Sequence, residues 1–113
     1  MDARVIDQTR LEAMVGRAVA DLSAGYGGVM ISLGNKLGLY KAMAGAGPVS
    51  SAELAASTGC SERYVREWLN SQAAGGYVDY HAVSDTYELT AEQAAVLADE
   101  DSPVFIPNAW YVP

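Results

Sequence analysis

The residues of this chain that could carry chemistry are few, and their spacing does not assemble a catalytic set. Cys60 is the single cysteine and His81 the single histidine among 113 residues. Cys60 precedes a predicted helix, whose dipole can lower a thiol pKa, but nothing in the sequence brings His81 beside it. A zinc site needs three or four ligands, more than this pair supplies. We therefore expect no catalytic, cofactor-binding or metal-binding residue, and we expect Cys60 to fill a tight turn.

Two further patterns imitate ligand sites but lack the elements that such sites need. The run Gly25-Tyr26-Gly27-Gly28 could cradle a phosphate only if a strand preceded it, and a predicted helix precedes it instead. Asp99, Glu100 and Asp101 are consecutive, so their carboxylates point in different directions. Such a run is typical of a solvated acidic turn rather than a metal site.

Five aromatic residues could line a small-molecule pocket or could pack in the core and on docking surfaces. They are Tyr26, Tyr40, Phe105, Trp110 and Tyr111. Buried aromatic residues are common in cores, so we favour packing over ligand binding. Tyr26, Phe105, Trp110 and Tyr111 are the candidates for contacts in a pocket or between domains. If they bind a ligand instead, the chain is a sensor of planar apolar molecules.

The elements that must position these residues are mainly helical. Apolar residues spaced by three and four positions predict helices, and the glycines from Gly25 onward are expected to end the first helix. Alternating aromatic and β-branched residues predict a hairpin. Ser50 with Glu53, and Thr90 with Gln93, form capping boxes. The predicted helices cover 8–24, 29–44, 50–57, 62–74 and 90–97, and the predicted strands cover 77–80 and 86–89.

This order predicts a mainly α (α+β) fold, a winged helix-turn-helix with two extra N-terminal helices and a small β-hairpin wing. The apolar face of the predicted helix at 29–44 is wider than one small domain can cover. We infer a partner surface there and expect a homodimer. In the helix at 62–74, Tyr64, Val65, Trp68 and Leu69 are predicted to form one apolar face.

The predicted recognition helix and wing have a charge distribution that disfavours DNA binding. Arg63, Arg66 and Asn70 could contact a duplex, but Glu62 and Glu67 can pair with the two arginines. Residues 77–113 contain no Lys or Arg. Their seven acids are Asp79, Asp85, Glu88, Glu92, Asp99, Glu100 and Asp101. A wing that binds DNA needs positive charges to replace the counterions around the phosphates. Because this segment has no Lys or Arg, we expect nucleic acid not to be a partner.

Several short runs, taken in their order along the chain, resemble one family. They are Leu37-Gly38-Leu39-Tyr40, Ala52-Glu53-Leu54-Ala55, Arg63-Tyr64-Val65-Arg66-Glu67-Trp68-Leu69, Gly76-Tyr77-Val78 and Tyr87-Glu88-Leu89-Thr90. The family is the N-terminal winged-helix domain of bacterial class I S-adenosylmethionine-dependent methyltransferases, and the arrangement is also seen in small-molecule O-methyltransferases. The resemblance covers roughly residues 25–103.

The resemblance implies a domain that dimerises and helps to cover a substrate pocket rather than one that reads DNA. It implies that S-adenosylmethionine binds a later catalytic domain, which this chain lacks, so the chain alone is not expected to be an enzyme. The implied division is an N-terminal dimerisation helix at 1–28, a winged-helix domain at 29–98 and a connector toward the catalytic domain at 99–113. The alternative is a small winged-helix transcriptional regulator that binds DNA.

Composition sets the remaining expectations. With one cysteine, no intrachain disulfide can form, which suits a reducing cytoplasm. The N-terminal residues are charged and lack the apolar core of a signal peptide, and the longest apolar stretch, at 29–39, is too interrupted to cross a membrane. The net charge of −7 belongs to the C-terminal third, because residues 1–76 sum to zero.

Overall fold

The structure is a computed structural model that describes residues 5–107. Over this range the chain forms five helices and one two-stranded antiparallel sheet, which is the predicted winged helix-turn-helix. The elements are α1 (Gln8–Lys36), α2 (Leu39–Met43), α3 (Ser51–Thr58), α4 (Glu62–Ala74), β1 (Asp79–His81), β2 (Thr86–Glu88) and α5 (Ala91–Leu97).

Helix α1 is a single helix of 29 residues, whereas the sequence predicts two helices separated at Gly25–Gly28. The start at Gln8 is as predicted, and Asp7 caps it by accepting hydrogen bonds from the amides of Thr9 and Arg10. The predicted break is wrong because each glycine costs only about 1 kcal/mol in a helix, and packing further along the helix compensates. The chain reverses instead at Gly38, whose φ of 72° suits glycine.

That packing centres on Gly34, which lies against two aromatic rings. A methyl group at this position would come within 2.7 Å of the Tyr40 ring and closer still to the Trp68 ring. The two rings meet edge to face with centroids 5.0 Å apart, and Trp68 Nε1 donates a 2.9 Å hydrogen bond to the Met30 carbonyl. The C-terminal half of α1 is thereby fixed to α2 and α4.

Helices α3 and α4 form the helix-turn-helix with nearly the predicted bounds. The Ser50–Glu53 capping box opens α3, and Gly59 closes it with φ of 70°. Ser61 takes the N-cap position of α4 but its side chain makes no capping hydrogen bond. The buried face of α4 contains Val65, Trp68, Leu69 and Gln72, whereas Tyr64 is 70% exposed, which corrects its predicted place on that face.

The wing is a short hairpin that pairs with the loop before α3. Tyr80 lies opposite Tyr87, and Asp85 occupies the turn with φ of 52°. Tyr87 and Val49 exchange backbone hydrogen bonds of 2.7 and 2.8 Å, so the wing is fixed to the helical core. The strands are shorter than predicted, but Val78 and Leu89 beside them are buried in the core.

The capping box of Thr90 and Gln93 opens α5 as predicted. The chain after α5 stays on the domain: Lys41 of α2 forms an ion pair with Glu100, and the Ile106 amide donates a 3.0 Å hydrogen bond to the Val96 carbonyl. Pro107 is buried. The predicted connector therefore starts as an ordered part of the fold, up to the last described residue.

The packing at Gly34 predicts a specific stability defect. Gly34→Ala should lower the free energy of unfolding by about 1–3 kcal/mol, because the added methyl group overpacks the site between Trp68 and Tyr40. The matched control is Gly16→Ala in the same helix, where nothing lies within 4 Å of the added methyl group. It should be neutral or stabilise by up to about 1 kcal/mol. Urea unfolding followed by circular dichroism measures both, and equal effects would contradict this packing.

Candidate functional site

The candidate site is an apolar face of α1 that the rest of the described chain leaves uncovered. Its side chains recur at alternating intervals of four and three residues, the spacing at which helices pack along a shared seam. Their exposed fractions range from 39% at Leu33 to 76% at Leu22. We name this set the α1 stripe: Val15, Val19, Leu22, Tyr26, Val29 and Leu33.

Most of the α1 stripe faces away from the side of the helix that packs on the domain, while Tyr26 and Leu33 border α4. Gly28, Ile31 and Gly34 are the buried residues of α1, and at 100° per residue they fall across the helix from Leu22, Val29 and Leu33. Upstream of Gly27, every described residue is exposed. The first half of α1 thus projects from the core.

The shape of the molecule reflects this projection. The radius of gyration is 18.0 Å, against about 13 Å for a compact domain of this length. The longest dimension is 61 Å, and α1 alone spans about 43 Å at 1.5 Å per residue. A long, uncovered apolar helix face of this kind is typical of interaction surfaces.

The α1 stripe continues onto α4 through a groove of about 290 Å³. Tyr26 and Leu33 form its α1 side, and Tyr64, Glu67 and Ser71 form its α4 side. In a DNA-binding winged helix, the exposed face of this second helix would lie in the major groove. Here that face borders an apolar surface.

The predicted contact residues occupy different places. Tyr26 is 63% exposed and lies in the α1 stripe, and Phe105 is partly buried in the ordered segment after α5. Tyr40 is core, with 1% of its surface exposed, and burial raises the pKa of its hydroxyl. Trp110 and Tyr111 lie outside the described residues, so their contacts stay a prediction.

The groups that could contact DNA already have partners within the domain. Arg63 pairs with Glu67 and Arg66 with Glu62, each across 3.8 Å, as predicted from their spacing. The side-chain oxygen of Asn70 accepts a hydrogen bond from the Tyr87 hydroxyl of the wing. The hairpin beside them carries Asp79, Asp85 and Glu88, so the surface is acidic where a phosphate backbone would lie.

Cys60 and His81 are engaged with different groups. The Cys60 thiol lies 3.7 Å from the Thr58 carbonyl in its own turn, and the His81 ring contacts Glu88 across the hairpin at 2.9 Å. Within residues 5–107, no group of three potential metal ligands comes together. Over the same range, no helix combines the length and the apolar character needed to span a bilayer.

The resolved pKa shifts do not produce a group that titrates near neutral pH. The backbone and side chain of Ser50 hold the pKa of Glu53 below its usual value. A hydrogen bond to Asp85 raises the pKa of Tyr80, and burial raises that of Tyr87. The pKa values of all three groups shift away from the range in which acid–base catalysts work.

Sequence reasoning missed Gln72, which is buried with 2% of its surface exposed. Its side-chain oxygen accepts a hydrogen bond from the Tyr40 hydroxyl. Val65, Trp68 and Leu69 form an apolar series in α4, and residue 72 is its next position. A polar residue there, where an apolar residue is expected, was the signal in the sequence.

A family profile described as the Rv2258c-like winged HTH domain matches residues 25–99, about two thirds of the chain. The chain belongs to this family. No curated protein sequence matches it at a significant level.

Solved structures show the same fold. The mitomycin 7-O-methyltransferase MmcR is 29% identical to this chain in sequence, and its structure matches 85% of this chain with a TM-score of 0.70. CalO1, a methyltransferase in calicheamicin biosynthesis solved with SAH, is 22% identical with a TM-score of 0.65 over 95% of this chain. PigF, also solved with SAH, is 21% identical with a TM-score of 0.62 over 95% of this chain. The chain spans 28–32% of the length of these three proteins. Its fold therefore resembles one domain of methyltransferases.

The paired arginines and acidic wing predict an absence of salt-dependent DNA binding. Proteins with six to ten phosphate contacts lose about 10³–10⁵ in affinity between about 50 and 200 mM salt. Fluorescence anisotropy with a labelled duplex should show no such loss. The double variant Arg63→Gln/Arg66→Gln should behave like the wild type at both salt concentrations. Tight binding at low salt that both substitutions abolish would contradict the assignment.

Proposed function

We propose that this chain is a non-catalytic docking domain of an S-adenosylmethionine-dependent methyltransferase. It self-associates through the α1 stripe and helps to cover the substrate pocket of a catalytic domain. The single observation that carries the self-association is the uncovered 4-3 apolar seam that projects from the core on α1. A seam of this spacing is buried when a second helix packs along it.

The link to methyl transfer rests on the family and on the solved relatives. The mitomycin enzyme and CalO1 are methyltransferases by name, and CalO1 and PigF were solved with SAH. Since this chain matches less than a third of each of these proteins, the methyl donor and the chemistry are proposed to belong to a separate catalytic domain. The segment at 99–107, fixed by Lys41 and by the Val96 carbonyl, supports a defined connection to that domain.

The α1 stripe predicts dimerisation that charge can abolish. The double variant Val19→Asp/Leu22→Asp should weaken self-association at least tenfold, because it buries two unpaired carboxylates in the seam. Sedimentation velocity at tens of micromolar, where interfaces of about −7 kcal/mol associate, measures the change. Wild-type protein that is monomeric at this concentration would contradict the proposal.

The matched control places the same charges on the other side of the helix. Ala13→Asp/Ala20→Asp changes two exposed positions of α1 outside the α1 stripe and lowers helix propensity more than the test variant does. It should leave the dimer intact. If both variants dissociate equally, helix destabilisation or net charge explains the effect and the seam does not.

The isolated chain should not bind S-adenosylmethionine. Titration calorimetry should detect no heat of binding at micromolar donor, because the donor is proposed to bind the catalytic domain. A saturable signal at that concentration would move cofactor binding into this domain and overturn its non-catalytic role.

A further inference from the structure

The α1 stripe borders a notch at Gly25. In helices that pack along a 4-3 seam, each protruding side chain enters a hole formed by four residues of the facing helix, at positions i, i+3, i+4 and i+7. Leu22, Gly25, Tyr26 and Val29 have this spacing, and all four line an open cavity of about 690 Å³. We name this cavity the Gly25 notch. It is a hole of the seam in which one of the four walls has no side chain.

Nothing in the described chain requires a glycine at position 25. A Cβ there would meet no atom within 4 Å, so close packing does not exclude a side chain. Gly25 also has the negative φ of an ordinary helical residue. Glycine is, after proline, the least favourable residue in a helix interior. What the missing side chain does provide is room on the surface for a group that comes from outside the described chain.

Tyr26 supplies the protruding group beside this room. Its side chain is 63% exposed, although its ring is one of the largest apolar surfaces of α1. Tyrosine suits interface positions that are apolar at one end and wet at the other. Asp21 and Ser23 also line the notch. A ring that enters the notch can therefore keep its hydroxyl beside polar groups.

The patch thus carries both a protruding ring and a hole that lacks one wall. A two-fold dimer needs a patch that is complementary to itself, because each surface meets a copy of the same surface. A small molecule fits the notch less well, since all lining residues belong to α1 and would contact it from one side only. Small-molecule sites bury most of their ligand's surface.

We propose that Tyr26 of each chain packs into the Gly25 notch of a second copy. Resting on the proposed self-association, this pairing makes Tyr26 the anchor of the dimer and Gly25 the residue that admits it. Buried tyrosines at the centre of an interface commonly supply a large share of the binding free energy.

Sedimentation velocity of the full chain at a series of concentrations tests the pairing through the dissociation constant of the dimer. Tyr26→Ala should raise this constant roughly tenfold or more, because the ring that fills the notch is lost. Gly25→Leu should raise it roughly as much, because the leucine side chain occupies the notch before the ring can enter.

The matched control is Gly27→Leu. Position 27 lies about 200° around the helix from position 25, so its side chain points away from the notch. Its Cβ also meets no atom within 4 Å, and the substitution raises helix propensity by the same amount as Gly25→Leu. It should leave the dissociation constant unchanged.

The double variant Gly25→Leu/Tyr26→Ala tests whether the two positions contact each other across the interface. Once the ring is absent, the leucine fills a notch that would otherwise be empty. The double variant should therefore dissociate no more readily than either single variant. Losses that multiply would show that the two positions act independently, which would overturn the pairing.

The remaining contrary outcomes separate this pairing from the proposed function. Suppose that Val19→Asp/Leu22→Asp dissociates the dimer while Tyr26→Ala or Gly25→Leu associates as the wild type does. The pairing would then be wrong and the proposed function would stand. Equal dissociation by Gly27→Leu and Gly25→Leu would also overturn the pairing, because the effect would not depend on the notch. A monomeric wild type would overturn both.

Discussion

The close approach of Gly34 to the Trp68 and Tyr40 rings is the constraint on which the rest of the structure depends. It can form only because residue 34 has no side chain, and it draws α1 close enough for the Trp68 indole to donate to the Met30 carbonyl. Once the C-terminal half of α1 is fixed in this way, the direction of its N-terminal half is fixed too, since a helix transmits orientation along its length. The α1 stripe is therefore held away from the core.

The charges around the helix-turn-helix favour the proposed protein contacts over DNA binding. The architecture places a hairpin beside a helix that could read DNA, but the arginines of that helix are paired with Glu62 and Glu67, and Asn70 is held by Tyr87. The hairpin adds only acidic groups and one histidine. Both arginines of this helix are paired, and the hairpin places acidic groups where a phosphate backbone would lie, which favours the proposed protein contacts.

Local sequence signals predicted the second half of the fold well. The structure of the first half depends on long-range packing. The capping boxes at Ser50 and Thr90 are complete within four residues, so α3 and α5 begin where the sequence indicates. The continuity of α1 through Gly25–Gly28 depends on contacts with Trp68, more than thirty residues away, which no local pattern contains. The role of Gln72 was missed for the same reason, because its partner Tyr40 is distant in sequence. The exposed seam was foreseen only in part. Most of the wide apolar surface predicted at 29–44 is core of this domain, with Leu39, Tyr40 and Met43 buried, and only Val29 and Leu33 of that segment belong to the α1 stripe.

The central claim is that two copies meet along the α1 stripe, and a distance between spin labels tests it most directly. A nitroxide at Asp21→Cys, beside the middle of the seam in a Cys60→Ala background, reports on the approach of the two helices. Helices packed in this way lie roughly 8–10 Å apart. The account predicts a short label separation at residue 21 and a much longer one at Val83→Cys, at the exposed end of the wing. A short separation at residue 83 with none at residue 21 would contradict it.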